Sequence, residues 1–150
     1  VVIRHAVPAD AVALRRFTCH RADEPWTLAP EVIVTSQVPN WIRVNGATVL
    51  VAERRGEIVG VIAVTAHPSD ARSFTSQVLA VDHQHRRQYI GYSLKLRALE
   101  IVTEAGARFV SSEVDVENIA MRRCNDCFEA TAVPAPHEPE TLITVIRPTP

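Results

Sequence analysis

Apolar and polar positions fall into short blocks along this chain, and the spacing within them changes from one block to the next. Val1-Val2-Ile3-Arg4 is short and β-branched and predicts a first strand. Pro8 and Asp10 open a helical stretch over 9–20, with Leu14 and Phe17 on one face and Arg15 and Arg16 on the other. Pro25, Pro30 and Pro39 punctuate the next segment, which fits a second helix over 30–44, bent at Pro39. Two runs of β-branched residues, 48–53 and 57–65, flank Arg54-Arg55-Gly56 and predict a hairpin. Both runs are almost continuously apolar, so their strands should be covered on both faces. A polar loop over 67–72 then leads to a strand over 73–81. Ile90, Leu94, Ala98, Ile101 and Ala105 form one stripe at helical spacing, and Gly106 stands where a C-cap glycine belongs. A strand over 108–114, a helix over 118–128, a proline-rich connection over 133–139 and a last strand over 142–147 complete the pattern. The order β-α-α-β-β-β-α-β-α-β predicts an α/β (α+β layered) fold, a mixed central sheet with helices on both faces.

Composition narrows the partners. The chain has 150 residues, which suits a single domain over 1–150, and 47% of them are hydrophobic, which argues against disorder. Sixteen basic and seventeen acidic residues leave a net charge of −1, so no broad basic face for nucleic acid is expected. No apolar run approaches the ~20 residues of a membrane span, and no basic-then-apolar leader is seen. Cys19, Cys124 and Cys127 are too few and odd in number for a disulfide framework. A cytoplasmic location is therefore expected. Cys124-Asn125-Asp126-Cys127 has metal-ligand spacing, but a closed zinc site needs four ligands and a redox pair would precede its helix. The expectation is two buried helix cysteines and no metal.

The segment with the most chemistry is 78–94. A strand, Val78-Leu79-Ala80-Val81, runs into a basic loop, His83-Gln84-His85-Arg86-Arg87-Gln88-Tyr89, and then into a helix opened by Ile90-Gly91-Tyr92. Unpaired N–H groups at a helix start, together with the positive end of its dipole, make an anion site. Gly91 allows close backbone approach, and Arg86 and Arg87 add charge. A pyrophosphate would suit this place; the alternative is a solvated basic turn.

In this context the chain resembles the GNAT superfamily of acyl-CoA-dependent N-acyltransferases, from Ile3 to about Asn125. The family signature, Arg/Gln-x-x-Gly-x-Gly/Ala between a strand and a long helix, is matched by Arg86 and Gly91, with Tyr89 in place of the first glycine. His85-Arg86 followed by Ile90-Gly91-Tyr92-Ser93-Leu94-Lys95 is similar to the His-Arg-Gly-His-Arg-Leu-Gly-x-x-Leu-Lys pattern of some branches. Downstream, Asn118-Ile119-Ala120-Met121 followed by Asn125 resembles the family's Asn-x-x-Ala/Met helix. The usual tyrosine of that helix is Asn125 here, and the closing Gly-Phe is Glu129-Ala130.

The resemblance implies acetyl-CoA as acyl donor, held by Leu79, Ala80, Val81, Arg86, Arg87, Gln88, Tyr89, Ile90, Gly91, Tyr92, Asn118 and Asn125. It implies an oxyanion donor among the N–H groups of Leu79 and Val81. Asn118 would reach the pantetheine arm or cap its helix, and the two roles are compatible. It implies Glu113 in Ser112-Glu113-Val114 as general base, with Asp115 and Glu53 as weaker alternatives. Tyr92 and Cys124 are unsupported candidates for protonating the leaving thiolate. The acceptor, a small-molecule or peptide amine, would meet residues 21–44 and 67–72, where Trp26 and Trp41 are expected mainly to pack. The proline-rich tail and last strand could serve a homodimer. The resulting expectation is an N-acetyltransferase working by direct attack on acetyl-CoA in a ternary complex. Its rival is a non-catalytic acyl-CoA-binding or interaction module on a degenerate GNAT fold.

Overall fold

The computed structural model describes residues 1–148. In chain order its elements are β1 (Val2–His5), α1 (Ala11–Arg15), α2 (Leu28–Ser36), α3 (Val38–Trp41), β2 (Ala47–Arg54), β3 (Glu57–His67), β4 (Asp70–Val81), α4 (Ile90–Glu104), β5 (Phe109–Asp115), α5 (Ile119–Asp126), β6 (Thr131–Ala135) and β7 (Glu138–Ile146). The strands form one sheet in the order β1-β2-β3-β4-β5-β7-β6. All neighbours are antiparallel except β4 and β5. No helix among the described residues is long and apolar enough to cross a membrane.

Two apolar layers lie on opposite faces of the sheet, as the unbroken runs in β2 and β3 require. Val49, Val51, Val61 and Ala63 pack with Leu14, Phe17, Val34 and Val38 from the α1–α3 side. Leu50, Ala52, Ile62 and Val64 pack with Ile90, Leu94, Ala98 and Val102 of α4. The register between β3 and β4 slips where Ala63 faces Val78 but Val64 faces Ser76, so Gln77 is an extra residue. That bulge changes which face each side chain meets. Phe74 points toward α4, whereas Val78 and Ala80 point toward α1–α3.

Several expectations need correction. The first helix is only five residues long after a 3-10 turn at Pro8–Asp10. The polar segment 67–72 is not a loop: β3 and β4 meet in a tight turn, and Asp70, Ala71 and Arg72 already belong to β4. The proline-rich segment holds an unexpected strand, β6, registered against β7 through Pro134. Because β6 is an edge strand, proline can sit there without breaking an interior ladder. The inward face of α4 is Ile90, Leu94, Lys95, Ala98, Leu99 and Val102, while Ala105 is exposed.

Gly60 lets α4 lie this close to the sheet. A Cβ at residue 60 would stand 3.0 Å from both Ile90 Cγ2 and Leu94 Cδ1, two side chains with almost no freedom to move. Gly60→Val should therefore cost about 2 kcal/mol, seen as a fall of about 4–8 °C in thermal midpoint. An unchanged midpoint would show that α4 is not seated on Gly60.

Candidate functional site

The site begins where two strands part. β4 and β5 pair only through Ser73–Thr75 and Phe109–Ser111, yet β4 continues to Val81 and β5 to Asp115. From Ser76 onward the β5-facing edge of β4 has no strand beside it. The N–H of Asp82 donates to the Val59 carbonyl at 2.9 Å, and Val81 is registered with Gly60. Hydrogen-bonding direction alternates along an antiparallel ladder. The N–H of Ala80 thus faces β3, and those of Leu79 and Val81 face the opening.

The segment after β4 supplies more unpaired donors. Arg87 and Tyr89 hold left-handed backbones, with φ of 63° and 60°. No side chain caps α4. Among the described residues no hydrogen bond uses the N–H groups of 86–92; the first satisfied donor is Ser93, bonded to the Tyr89 carbonyl at 2.9 Å. A Cβ on Gly91 would lie 3.6 Å from Val81 Cγ2 and 4.0 Å from Leu79 Cδ2. The first turn of α4 therefore sits over the two residues whose N–H groups face the opening. These distances are ordinary contacts, so alanine would fit at residue 91 as well as glycine. Alternating left-handed residues and a bare helix start concentrate positive potential, which suits paired phosphates.

The two arginines divide. Arg87 is exposed, and its charge is unpaired among the described residues. Arg86 does not add free charge to the helix start as expected. Its guanidinium donates to Glu24 Oε1 at 2.6 Å and to the Cys19 carbonyl at 3.2 Å. It ties the loop before α2 to the start of the cradle. That loop is further fixed because Glu31 Oε1 accepts from the N–H groups of Cys19 and His20, at 2.8 and 3.1 Å. Gln88 is held through Oε1 by Arg54 at 2.6 Å.

Glu113 lies on β5 opposite Ile143 of β7, exposed, one residue before buried Val114. Its two alternatives are already engaged. Glu53 binds Arg4 at 2.8 Å, and Asp115 Oδ1 accepts from the Glu117 N–H at 2.9 Å. Asn118 caps α5 by accepting from the Met121 N–H at 3.1 Å. The Tyr92 ring stacks on Phe128 with centroids 5.3 Å apart, joining the first turn of α4 to the end of α5. Trp26 and Trp41 are half-buried. Cys124 is partly buried, which holds its thiol above the ordinary range, whereas Cys127 is exposed, contrary to expectation.

One residue escaped the sequence reading. Lys95 lies on the inward face of α4, 3% exposed, and donates to Asn125 Oδ1. Asn125 is equally buried, and its Nδ2 has no partner. Burial pushes the Lys95 ammonium below its ordinary pKa. The signal was present in the pattern: Lys95 stands one residue after Leu94 and seven before Val102, within the apolar stripe.

The sequence profile of the Acetyltransferase (GNAT) family matches residues 12–125. No curated protein sequence matches the chain. A ribosomal-protein-alanine N-acetyltransferase from Brucella melitensis is 22% identical over 97% of this chain and 98% of its own, with a TM-score of 0.72. YncA, a protein from Salmonella typhimurium solved with acetyl-CoA, is 17% identical over 99% and 94% of the two chains, with a TM-score of 0.73. The PaiA N-acetyltransferase from Thermoplasma acidophilum, solved with coenzyme A, is 14% identical over 97% and 98%, with a TM-score of 0.77. These likenesses establish the fold, and the profile spans most of the chain: this protein belongs to the GNAT family of acetyltransferases, whose acyl donor is acetyl-CoA.

Proposed function

We propose that this chain moves an acetyl group from acetyl-CoA to a primary amine of a small molecule or peptide by direct attack in a ternary complex. The observation that carries this reading is the continuity of one donor surface. The N–H groups of Leu79 and Val81 face the opening between β4 and β5, and the bare start of α4 packs on the side chains of the same two residues. The N–H groups of 87–92 and the Arg87 side chain would take the pyrophosphate. Asn118 and Asn125 would meet the pantetheine arm, and Tyr92 would border it.

Acetyl-CoA brings the acyl group already activated as a thioester, so the protein's work is positioning, proton removal and charge stabilisation. An amine arrives mostly as ammonium, with a pKa near ~10. Glu113, directly or through water, takes that proton. The N–H groups of Leu79 and Val81 stabilise negative charge as it grows on the carbonyl oxygen; as that charge collapses back, the carbon–sulfur bond breaks, its electron pair leaves on the CoA sulfur, and the nitrogen's second proton passes to that sulfur or to water. Arg86 acts by positioning, because it fixes the loop before α2 beside the cradle.

Calorimetry with CoA and acetyl-CoA, followed by thiol release across a panel of amines, tests the proposal. The expected dissociation constant is in the range of about 1 μM to 1 mM, with turnover of at least one amine. No association at millimolar concentration would overturn it. Association without turnover of any amine would leave a CoA-binding module.

A further inference from the structure

Segment 19–27, between α1 and α2, holds only one 3-10 turn, Pro25–Thr27, yet it is densely bonded. Thr27, 7% exposed, gathers it: its Oγ1 accepts from the Arg21 N–H at 3.0 Å and donates to the Glu24 carbonyl at 2.6 Å. The N–H groups of Glu24 and Thr27 bond within the segment, and Glu31 hangs its first two residues on α2. Among the described residues, the hydrogen bonds that join it to the loop before α4 come from one side chain, Arg86, which holds both Glu24 and the Cys19 carbonyl. The segment is a tightly bonded loop on a single tether.

That tether lies on the amine's side of the opening. Val110 packs in the layer under α4, and side chains alternate along β5, so Glu113 faces the other way. On that other side Val78 and Ala80 of β4 pack with Cys19, where the segment begins. An amine that gives its proton to Glu113 therefore approaches beside segment 19–27.

The other end of the tether depends on what fills the cradle. The N–H groups of 86–92 have no partners, and Arg87 and Tyr89 hold left-handed backbones. A stretch with so few hydrogen bonds of its own opens easily and is steadied by whatever takes up those donors. Phosphates there would also fix the backbone that carries the Arg86 guanidinium. We propose that Arg86 and Glu24 couple the donor site to the amine site: CoA on the cradle steadies segment 19–27 through this ion pair and so raises the affinity for the amine. This rests on the acetyl-transfer reading above. Coupling is reciprocal, so the amine raises the affinity for CoA by the same factor. Arginine suits the task because its fork reaches a carboxylate and a carbonyl at once. Both are positioning residues, acting through the segment they join.

Amide hydrogen exchange with CoA as the probe tests the coupling without a known amine. In the wild type, CoA should slow exchange at the bonded N–H groups of Cys19, His20, Arg21, Glu24 and Thr27 about tenfold. Glu24→Gln keeps the shape and removes the charge. It should cut that slowing to less than about threefold while CoA still binds, and raise the KM of any amine the wild type turns over about tenfold with a smaller change in kcat. Arg86→Met should act alike, and the double variant should do no worse than either, because each removes the same link. A purely structural role would speed exchange in 19–27 equally with and without CoA and lower the unfolding midpoint while the effect of CoA survived; that result overturns the proposal. So does bound CoA that slows exchange at 87–92 and leaves 19–27 unchanged. Failure of CoA to bind the wild type overturns the acetyl-transfer reading and this inference together.

Discussion

Glu113→Gln should lower kcat by about 10²- to 10⁴-fold while CoA still binds, because the substitution removes the proposed proton acceptor and keeps the shape of the side chain. Stability is not at risk. Glu113 is exposed on β5, and among the described residues it forms no ion pair, so the change should stay within about 0.5 kcal/mol of wild type. The other two carboxylates considered behave differently. Glu53 is one arm of a bridge in which Arg4 also holds Asp10, and Asp115 closes the turn before α5. Their removal should lower stability more than turnover. The residual rate of Glu113→Gln should rise about tenfold per pH unit toward the amine's pKa near ~10, since only amine that is already neutral can attack. Steady-state kinetics with one active amine, plus the pH profile, decide the matter. Equal turnover by wild type and variant removes Glu113 from the mechanism.

Most of the fold could be read from hydrophobic spacing alone, and the exceptions have local causes. The β2–β3 hairpin is plain because two apolar runs flank Gly56, whose φ of 81° suits a glycine turn. α4 is plain because its stripe is long. β6 was hidden because Val133-Pro134-Ala135 resembles a linker, and only its edge position makes it a strand. The far end of β3 and β4 was hidden because Asp70, Ala71 and Arg72 are exposed and lack the expected alternation. The site shows the same division. A strand, a basic loop and a helix start are local features and can be read in order. The pairing of Arg86 with Glu24 spans 62 residues, and nothing in the spacing of either one announces it. Both departures from the family's glycines sit at left-handed backbones: Tyr89 at φ 60° and Glu129 at φ 55°. Glycine bears such a backbone most easily, so a glycine at either place would have announced the turn that Tyr89 and Glu129 conceal.

That mismatch at Tyr89 yields a prediction in which stability and affinity move apart. A left-handed backbone costs an ordinary side chain about 1–2 kcal/mol, and glycine and aspartate bear it most easily. Tyr89 is 81% exposed, so its ring contributes little packing in return. Tyr89→Gly should raise stability by about 0.5–1 kcal/mol, the relief being offset in part by the greater freedom of glycine in the unfolded chain, and should leave CoA affinity nearly unchanged. Tyr89→Asp should also stabilise the free protein, by placing a carboxylate beside the unpaired N–H groups and the positive end of α4. The same carboxylate would then occupy the donors proposed to take the pyrophosphate and would repel it. At about 5 Å and an effective dielectric near 20, one such pair of charges is worth about 3 kcal/mol, so the CoA dissociation constant should rise on the order of 100-fold. Thermal unfolding and calorimetry on the two variants measure both quantities. If Tyr89→Asp binds CoA as tightly as Tyr89→Gly, the N–H groups of 87–92 do not hold the phosphates, and the start of α4 is an ordinary basic turn.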